Sequence, residues 1–549
     1  MDKNDTLSFP LEIYFSKNSS FQCKEEFLKS AHRVLSMSSG LFALLIALLA
    51  KVYGSGTAVF GTLIGMWVPA KYSKNIERVL GIATFAGFGI MAVLALFYLT
   101  YPAYLDHTEA TIANFGALLR TGGQLYPDLS VYSMHGQLYG PFLSEIQVAV
   151  QSFGLPLILA SKLTGLLAFF VWSTLFLYYL KEPLAKGFLL FMLPLGPFLF
   201  SNRAEALILL LVGLAFAVSK WVSNKRLGIL CVGILAGLAA AVKLHAVLYI
   251  VLVAIASFSL SSFGVVEILL FGTGVACGFL GPFAPSQTSL IQFLSYLKLG
   301  VKHGFTLSGI LANGFYYVVL NTPSCYLAYR DFKERGKVQY DVLAMLALEF
   351  LPVITGAKLG AGLHHSLACI PANAIMLERL IREIRPSTAS LVPFYTGLLA
   401  LLLLVVPKTY VTLYSDMTSR HSEYEGAKSE ITELANQYRG LVLGVADDRT
   451  YVYSFYRPIL QSMGVQQIEY LAYMDQKLSG LNDSSFAQAI RECKMSYIAM
   501  PKIGAPFILK SYYDGQTLLS EDVRKAFKEN YQLIETKNFY SIYGCSSRK

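Results

Sequence analysis

The segment Lys71-Tyr72-Ser73-Lys74-Asn75-Ile76-Glu77-Arg78 runs into an uncharged apolar stretch over 79–101, and Asp106-His107-Thr108-Glu109 stands just beyond it. A basic flank, roughly 20 apolar residues and carboxylates on the far side are the order expected of a helix that crosses a bilayer with its basic end in the cytoplasm. Further apolar runs at 155–179, 187–200, 204–219, 227–243, 245–260, 263–283, 306–326, 342–357, 363–380 and 388–407 bring the candidate core spans to eleven. Ahead of them, two short runs between residues 37 and 68 are split by Tyr53-Gly54-Ser55-Gly56. They suit either a hairpin of spans or a pair that enters the membrane partway.

Composition agrees. Of the 549 residues, 54% are hydrophobic and 15% charged, with a mean hydropathy of +0.50, whereas soluble domains carry about 25% charged residues. The formal net charge is +10. Charges beyond residue 411 are nearly balanced, so the basic excess lies in the membrane half, where it orients helices and does not point to nucleic acid. The seven cysteines show no CxxC and no Cys/His metal spacing, which argues against zinc and against a thioredoxin-like redox site. No removable signal peptide is expected at the N-terminus.

With Lys71–Arg78 in the cytoplasm, every second loop is cytoplasmic. Those loops hold Lys181 and Lys186; Lys220, Lys225 and Arg226; Arg330, Lys333, Arg335 and Lys337; and Arg379, Arg382 and Arg385, while the loop 257–263 is uncharged. The opposite face collects Asp106 and Glu109, Arg203 and Glu205, Lys243 and His245, Lys298, Lys302 and His303, and Lys358, His364 and His365. Ionisable groups in short turns at membrane depth are costly and mark function more often than chance. The sequence therefore places a candidate active site and a C-terminal domain outside the cytoplasm.

Asp106 and Glu109 are three residues apart and share a helix face. One carboxylate can take a proton from an acceptor hydroxyl while the other holds a cation or orients the substrate; equally, both can cap a helix N-terminus. Gln124-Leu125-Tyr126-Pro127-Asp128 and His135-Gly136-Gln137-Leu138-Tyr139-Gly140-Pro141 follow, with the aromatic, Gly and Pro content of a membrane-surface loop that positions a lipid-linked ligand.

Taken in order, Leu105-Asp106-His107-Thr108-Glu109, the segment from Leu118 to Asp128, Tyr139-Gly140-Pro141, Ser201-Asn202-Arg203-Ala204-Glu205 and Gly356-Ala357-Lys358-Leu359-Gly360 with His364-His365 resemble the loop motifs of GT-C superfamily glycosyltransferases. The resemblance covers residues 79–410. It implies a polytopic α-helical membrane protein with about eleven core spans plus an N-terminal hairpin, and an inverting transfer of a hexose or pentose from a polyprenyl-phosphate donor to an extracytoplasmic glycan, lipid or protein acceptor. Asp106 is then the catalytic base with Glu109 beside it, and Arg203, Lys243, Lys358, His364 and His365 bind the donor phosphate. Tyr126, Asp128, His135, Tyr139 and Glu205 fall to substrate binding, and a divalent cation would sit at Glu109. Two departures stand out: Ala204 replaces the usual proline, and the usual adjacent Asp-Glu pair is spread to Asp106-x-x-Glu109. The implied setting is a bacterial inner membrane with the site on the extracytoplasmic side.

The linker 415–437 reads as a charged helix. From Tyr438 short β-rich and helical runs alternate, at 440–445, 453–463, 467–471, 484–493, 495–500, 521–528, 531–535 and 539–543, which predicts a small α/β domain with a mostly parallel sheet. Asp447-Asp448 after a strand reads first as a solvated turn, with acceptor binding as the alternative, and Cys493 with Cys545 is a candidate disulfide. The expected organisation is a cytoplasmic segment and hairpin at 1–78, a transmembrane catalytic domain at 79–410 and an extracytoplasmic domain at 411–549. A lipid-linked glycan polymerase or ligase, and a flippase or transporter, are the alternatives. The second is disfavoured because no internal repeat is present and the charges sit at one face, not at the midplane.

Overall fold

A computed structural model describes residues 62–128, 138–302, 304–478, 480–511 and 513–546. The hairpin expected between residues 37 and 68 falls, up to residue 61, outside the described residues, as do His135 and His303.

The membrane part is a helical bundle. Helices α1 (Ser73–Thr100), α4 (Leu157–Tyr179) and α6 (Ala204–Trp221), the stretch Val265–Phe283 that begins with α9 (Val265–Leu280), and the continuous stretch Thr388–Ser419 formed by α14 (Thr388–Leu404) and α15 (Val406–Ser419), are long and apolar enough to cross a bilayer. Between them lie the shorter or less apolar α7 (Lys225–Ala240), α8 (Val247–Phe258), α11 (Leu307–Arg335), α12 (Tyr340–Gly356) and α13 (Cys369–Ile384). All of the expected runs fall on helical segments. Ile82, Phe85, Ile90, Val93 and Leu96 leave α1 with an exposed apolar stripe, as a lipid-facing helix requires.

The run expected at 187–200 is not one helix. Pro183, Pro194 and Pro197 divide it into α5 (Pro183–Phe188), a tight 3-10 segment Leu189–Leu195 and a single turn Pro197–Phe200. Pro183 and Pro197 open their segments at a first helical position, where a missing N–H costs nothing, and Pro194 lies inside the 3-10 segment, where it cannot donate to an α-helical ladder. Leu189, Leu190, Met192, Leu193, Leu199 and Phe200 are buried, so the broken backbone lies inside protein and not against lipid. Its far end delivers Arg203.

Helix α9 is held by α7 through glycines. Gly233 and Gly237 on α7 meet Gly274 and Gly278 on α9, and a Cβ at Gly237 would stand 2.2 Å from the Val275 oxygen, one at Gly278 2.1 Å from the Ile234 oxygen. Small residues let the backbones touch where lipid supplies no hydrophobic drive.

On the face carrying Asp106 lie three interfacial helices, α2 (His107–Arg120), α3 (Pro141–Gln151) and α10 (Leu290–Val301). Helix α16 (His421–Gln437) leads to the C-terminal domain, whose helices are α17 (Arg457–Ser462), α18 (Tyr470–Leu478), α19 (Ser484–Arg491) and α20 (Glu521–Asn530). Its sheet runs β1 (Leu441–Leu443), β2 (Tyr497–Pro501), β4 (Tyr540–Cys545), β3 (Tyr531–Thr536). The expectation of a mostly parallel sheet fails: β1 and β2 are parallel, but β2–β4 and β3–β4 are antiparallel. The reason is local, since the short link between β3 and β4 permits only a hairpin. Glu430 on α16 accepts the backbone N–H groups of Asn538, Phe539 and Tyr540, fixing that hairpin to the linker helix. Cys493 and Cys545 are disulfide-bonded with a Cα–Cα distance of 5.9 Å.

Replacing Gly237 or Gly278 by Leu should lower the melting temperature in detergent, the overpacking costing roughly 1–3 kcal/mol. Gly272→Ala on the same helix, where an added Cβ meets nothing within 4 Å, should leave it unchanged. Equal melting of all three variants would contradict glycine-mediated packing.

Candidate active site

The site begins where α1 ends. The buried ammonium of Lys162, on α4, donates to the carbonyls of Tyr98 at 3.0 Å and Tyr101 at 2.5 Å and lies 4.2 Å from the centroid of the Tyr98 ring. A cation on the last carbonyls suits the negative end of the α1 dipole. The chain then turns through Tyr104, whose hydroxyl meets Ser161 at 2.8 Å, into Asp106.

Asp106 and Glu109 build a capping box at the start of α2. One Asp106 oxygen accepts the Glu109 N–H at 3.1 Å, and Glu109 Oε1 accepts the N–H groups of Leu105 at 2.9 Å and Asp106 at 3.2 Å. The other Glu109 oxygen accepts the Asn202 N–H at 3.1 Å and the Tyr98 hydroxyl. Glu109 is fully buried, with both oxygens occupied, and has no open edge for a substrate or a cation. Burial first and the Asp106 charge second push its carboxyl up to about 7, against donors that favour the charged form.

Asp106 differs. Its second oxygen pairs with Arg203, and 27% of its side chain remains accessible, enough for a small group to reach it. Burial alone would raise its carboxyl. The charge and hydrogen bond of Arg203, with the hydrogen bond from the Glu109 N–H, outweigh it and hold Asp106 below its ordinary value, so it is ionised at neutral pH.

Arg203 passes the charge on. Its Nε lies 3.2 Å from Glu205 Oε2, Lys243 Nζ lies 2.5 Å from Glu205 Oε1, and His364 Nε2 is 3.9 Å from that oxygen. The turn holding Arg203 is fixed by Asn202, which donates to the Glu109 carbonyl at 3.2 Å and accepts from Gln147 on α3 at 2.7 Å. It also presses on α4 at Gly165, where a Cβ would stand 2.0 Å from the Ser201 oxygen. Beneath the charges Phe198 stacks on His364, with centroids 4.9 Å apart, and His365 stacks on His245 at 4.8 Å. A small cleft opens here, lined in part by Glu205, Lys243, His245, His364 and His365 over Ile208 and Leu209.

The structure thus brings together Asp106, Glu109, Arg203, Glu205, Lys243, His364 and His365. Lys358 stands at the rim: its ammonium donates to the Gly300 carbonyl at 3.2 Å, and among the described residues no carboxylate pairs with it. Tyr139 covers Lys243, whose ammonium is 5.0 Å from the ring centroid. Tyr126 is buried and donates to the Tyr139 carbonyl at 2.6 Å, which makes it a brace for that loop. Asp128 is exposed at the border of the described loop, and His135 lies outside the described residues. Among the described residues no three His, Cys, Asp or Glu side chains converge on a metal position.

Sequence reading missed Lys162, although it is the one charge in the run 155–179. It also missed the tail-domain contact on α2, where Glu469 accepts from Thr111 at 3.0 Å and pairs with Arg457 at 3.3 Å, both sides fully buried. No pattern in the sequence pairs residues so far apart.

No family model matches the sequence, and no curated protein does. Among solved structures the chain resembles the crystal structure of ArnT from Cupriavidus metallidurans bound to undecaprenyl phosphate, with a TM-score of 0.51, 10% identity, and coverage of 83% of this chain and 97% of that one. At this identity the likeness is one of fold. The chain shares the fold of that structure, and with its lipid-facing apolar helices it is an integral membrane protein.

Beside Asp106, burial first, then the Arg203 and Arg457 charges, outweigh Asp106 and hold the His107 imidazole down to about 4. The unfolded chain takes up this proton near 6.5, so between that pH and about 4 it binds more protons than the fold, and stability falls as the pH falls. Glu109 has the opposite sign, so the comparison must be made by variant. The loss of melting temperature from pH 7 to pH 4.5 should be smaller in His107→Gln than in wild type. Identical losses would show that His107 does not titrate on unfolding.

Proposed function

We propose that this protein is a GT-C glycosyltransferase that moves a sugar from a polyprenyl-phosphate donor to a glycan, lipid or protein acceptor outside the cytoplasm, with inversion at the anomeric carbon. The observation that carries the reading is the pairing of an accessible, ionised Asp106 with Arg203, in one lattice with Glu205 and Lys243. That lattice puts a proton acceptor and phosphate-binding cations side by side.

The chemistry needs little else. The acceptor oxygen bonds to the anomeric carbon, its proton passes to Asp106, and the bond from that carbon to the phosphate oxygen breaks. The lipid phosphate carries away the electron pair and is held by cations. We read Lys243, Arg203 and Lys358, which has no carboxylate partner among the described residues, as those cations, with His364 and His365 as neighbouring donors. The undecaprenyl phosphate of the ArnT structure supports a lipid phosphate as the donor class. Glu109, expected to act with Asp106 directly, is better read as a positioning residue, because both its oxygens hold the backbone and Tyr98. Tyr139 and Glu205 stand beside Lys243, Tyr126 braces the Tyr139 loop, and Asp128 and His135 fall in the stretch of sequence between α2 and α3.

The basic loops support a cytoplasmic location for the opposite face, and the Cys493–Cys545 disulfide supports an oxidising compartment for the tail domain. A bacterial inner membrane fits both. The reading keeps residues 79–410 as the catalytic membrane domain and 411–549 as the extracytoplasmic one.

The test is sugar transfer by purified protein from a panel of polyprenyl-phosphate sugars to crude envelope acceptors. Asp106→Asn keeps the shape and loses the base, and should lower turnover by about 10²–10⁴ while donor still binds. Equal turnover in both proteins would remove Asp106 from the chemistry. Movement of donor across liposomes without transfer would favour a transporter.

A further inference from the structure

The tail domain reaches the rim beside Lys358. Its helix α18 packs on α2 and α10, and Asp475 on α18 accepts a hydrogen bond from the Tyr513 hydroxyl. Tyr513 rests on the turn that follows Lys358: Gly360 has φ +81°, and a Cβ there would stand 2.4 Å from the Tyr513 oxygen. Only glycine fits both the conformation and the contact. On its other side Asp475 acts on Tyr139, whose phenol is raised by burial first and then by Glu205 and Asp475, against Lys243 and Arg203. Asp475, Tyr513 and Tyr139 are each half-buried, so part of each side chain stays accessible beside the Lys358 turn.

This edge of the cleft has a different chemistry from its centre. Arg203, Lys243 and Lys358 supply positive charge for a phosphate. Asp475 would repel a phosphate, but a carboxylate accepts two hydroxyl hydrogen bonds, and phenol rings offer apolar faces with a polar tip. Such a set suits a polyhydroxylated ring standing next to the phosphate.

We propose that Asp475 and Tyr513 form a sugar-ring subsite through which the tail domain reads the hydroxyls nearest the reacting bond. The proposal rests on the glycosyltransferase reading above. A donor sugar and an acceptor sugar present the same chemistry, and the experiment separates them.

Full-length wild type, Asp475→Asn and Tyr513→Phe in nanodiscs would be titrated with bare undecaprenyl phosphate and with undecaprenyl-phosphate pentoses and hexoses, and their rates measured against an envelope glycolipid acceptor. The variants should bind the bare lipid as wild type does, while one sugar-bearing readout weakens by roughly tenfold or more. A higher Kd for the sugar-loaded donor assigns the subsite to the donor ring, and a higher KM for the acceptor assigns it to the acceptor ring. Unchanged values throughout, or a parallel loss of bare-lipid binding, would overturn the subsite alone. Wild type that fails to bind bare undecaprenyl phosphate would overturn the parent reading and the subsite with it.

Discussion

The structure depends on keeping two carboxylates and two cations charged in a cleft with an apolar floor. Asp106, Arg203, Glu205 and Lys243 alternate in sign, so each loses water but gains an opposite neighbour. Removing one member of a buried pair typically costs about 3–5 kcal/mol because its partner is left unpaired. The elements that supply these four residues are therefore held in register from several directions. Lys162 fixes the end of α1, the Asp106–Glu109 capping box fixes the start of α2, and Asn202 ties the Arg203 turn to both α2 and α3.

Much of this was legible in the sequence for one physical reason: a charge in a short turn between apolar runs needs a partner. That reasoning finds Asp106, Arg203, Glu205, Lys243 and Lys358 without knowing how they pair. It also finds the helical runs, because about 20 apolar residues have few other uses. The two readings of Asp106 and Glu109, as chemistry and as helix cap, divide in the structure. Glu109 spends both oxygens on capping and packing, whereas Asp106 caps with one oxygen and offers the other to Arg203.

What the sequence hid was long-range or geometric. The run 187–200 reads as one span in the sequence although it carries Pro194 and Pro197, and nothing local says that its end delivers Arg203. Glycine spacing on α7 and α9 becomes meaningful only once the two helices are known to touch. Strand direction in the tail sheet follows from connection lengths that residue patterns blur. The meeting of Asp475, Tyr513 and Gly360, more than 100 residues apart at its extremes, has no local signature at all.

On our reading the lattice receives a lipid-linked phosphate. The most direct measurement is saturation binding of undecaprenyl phosphate to the purified protein in nanodiscs, comparing wild type with the double variant Glu205→Gln/Lys243→Met, which removes a positive and a negative charge together. The account predicts a variant that stays folded, by its melting temperature, and binds the lipid phosphate at least about tenfold more weakly. Undiminished affinity in a folded double variant would contradict it.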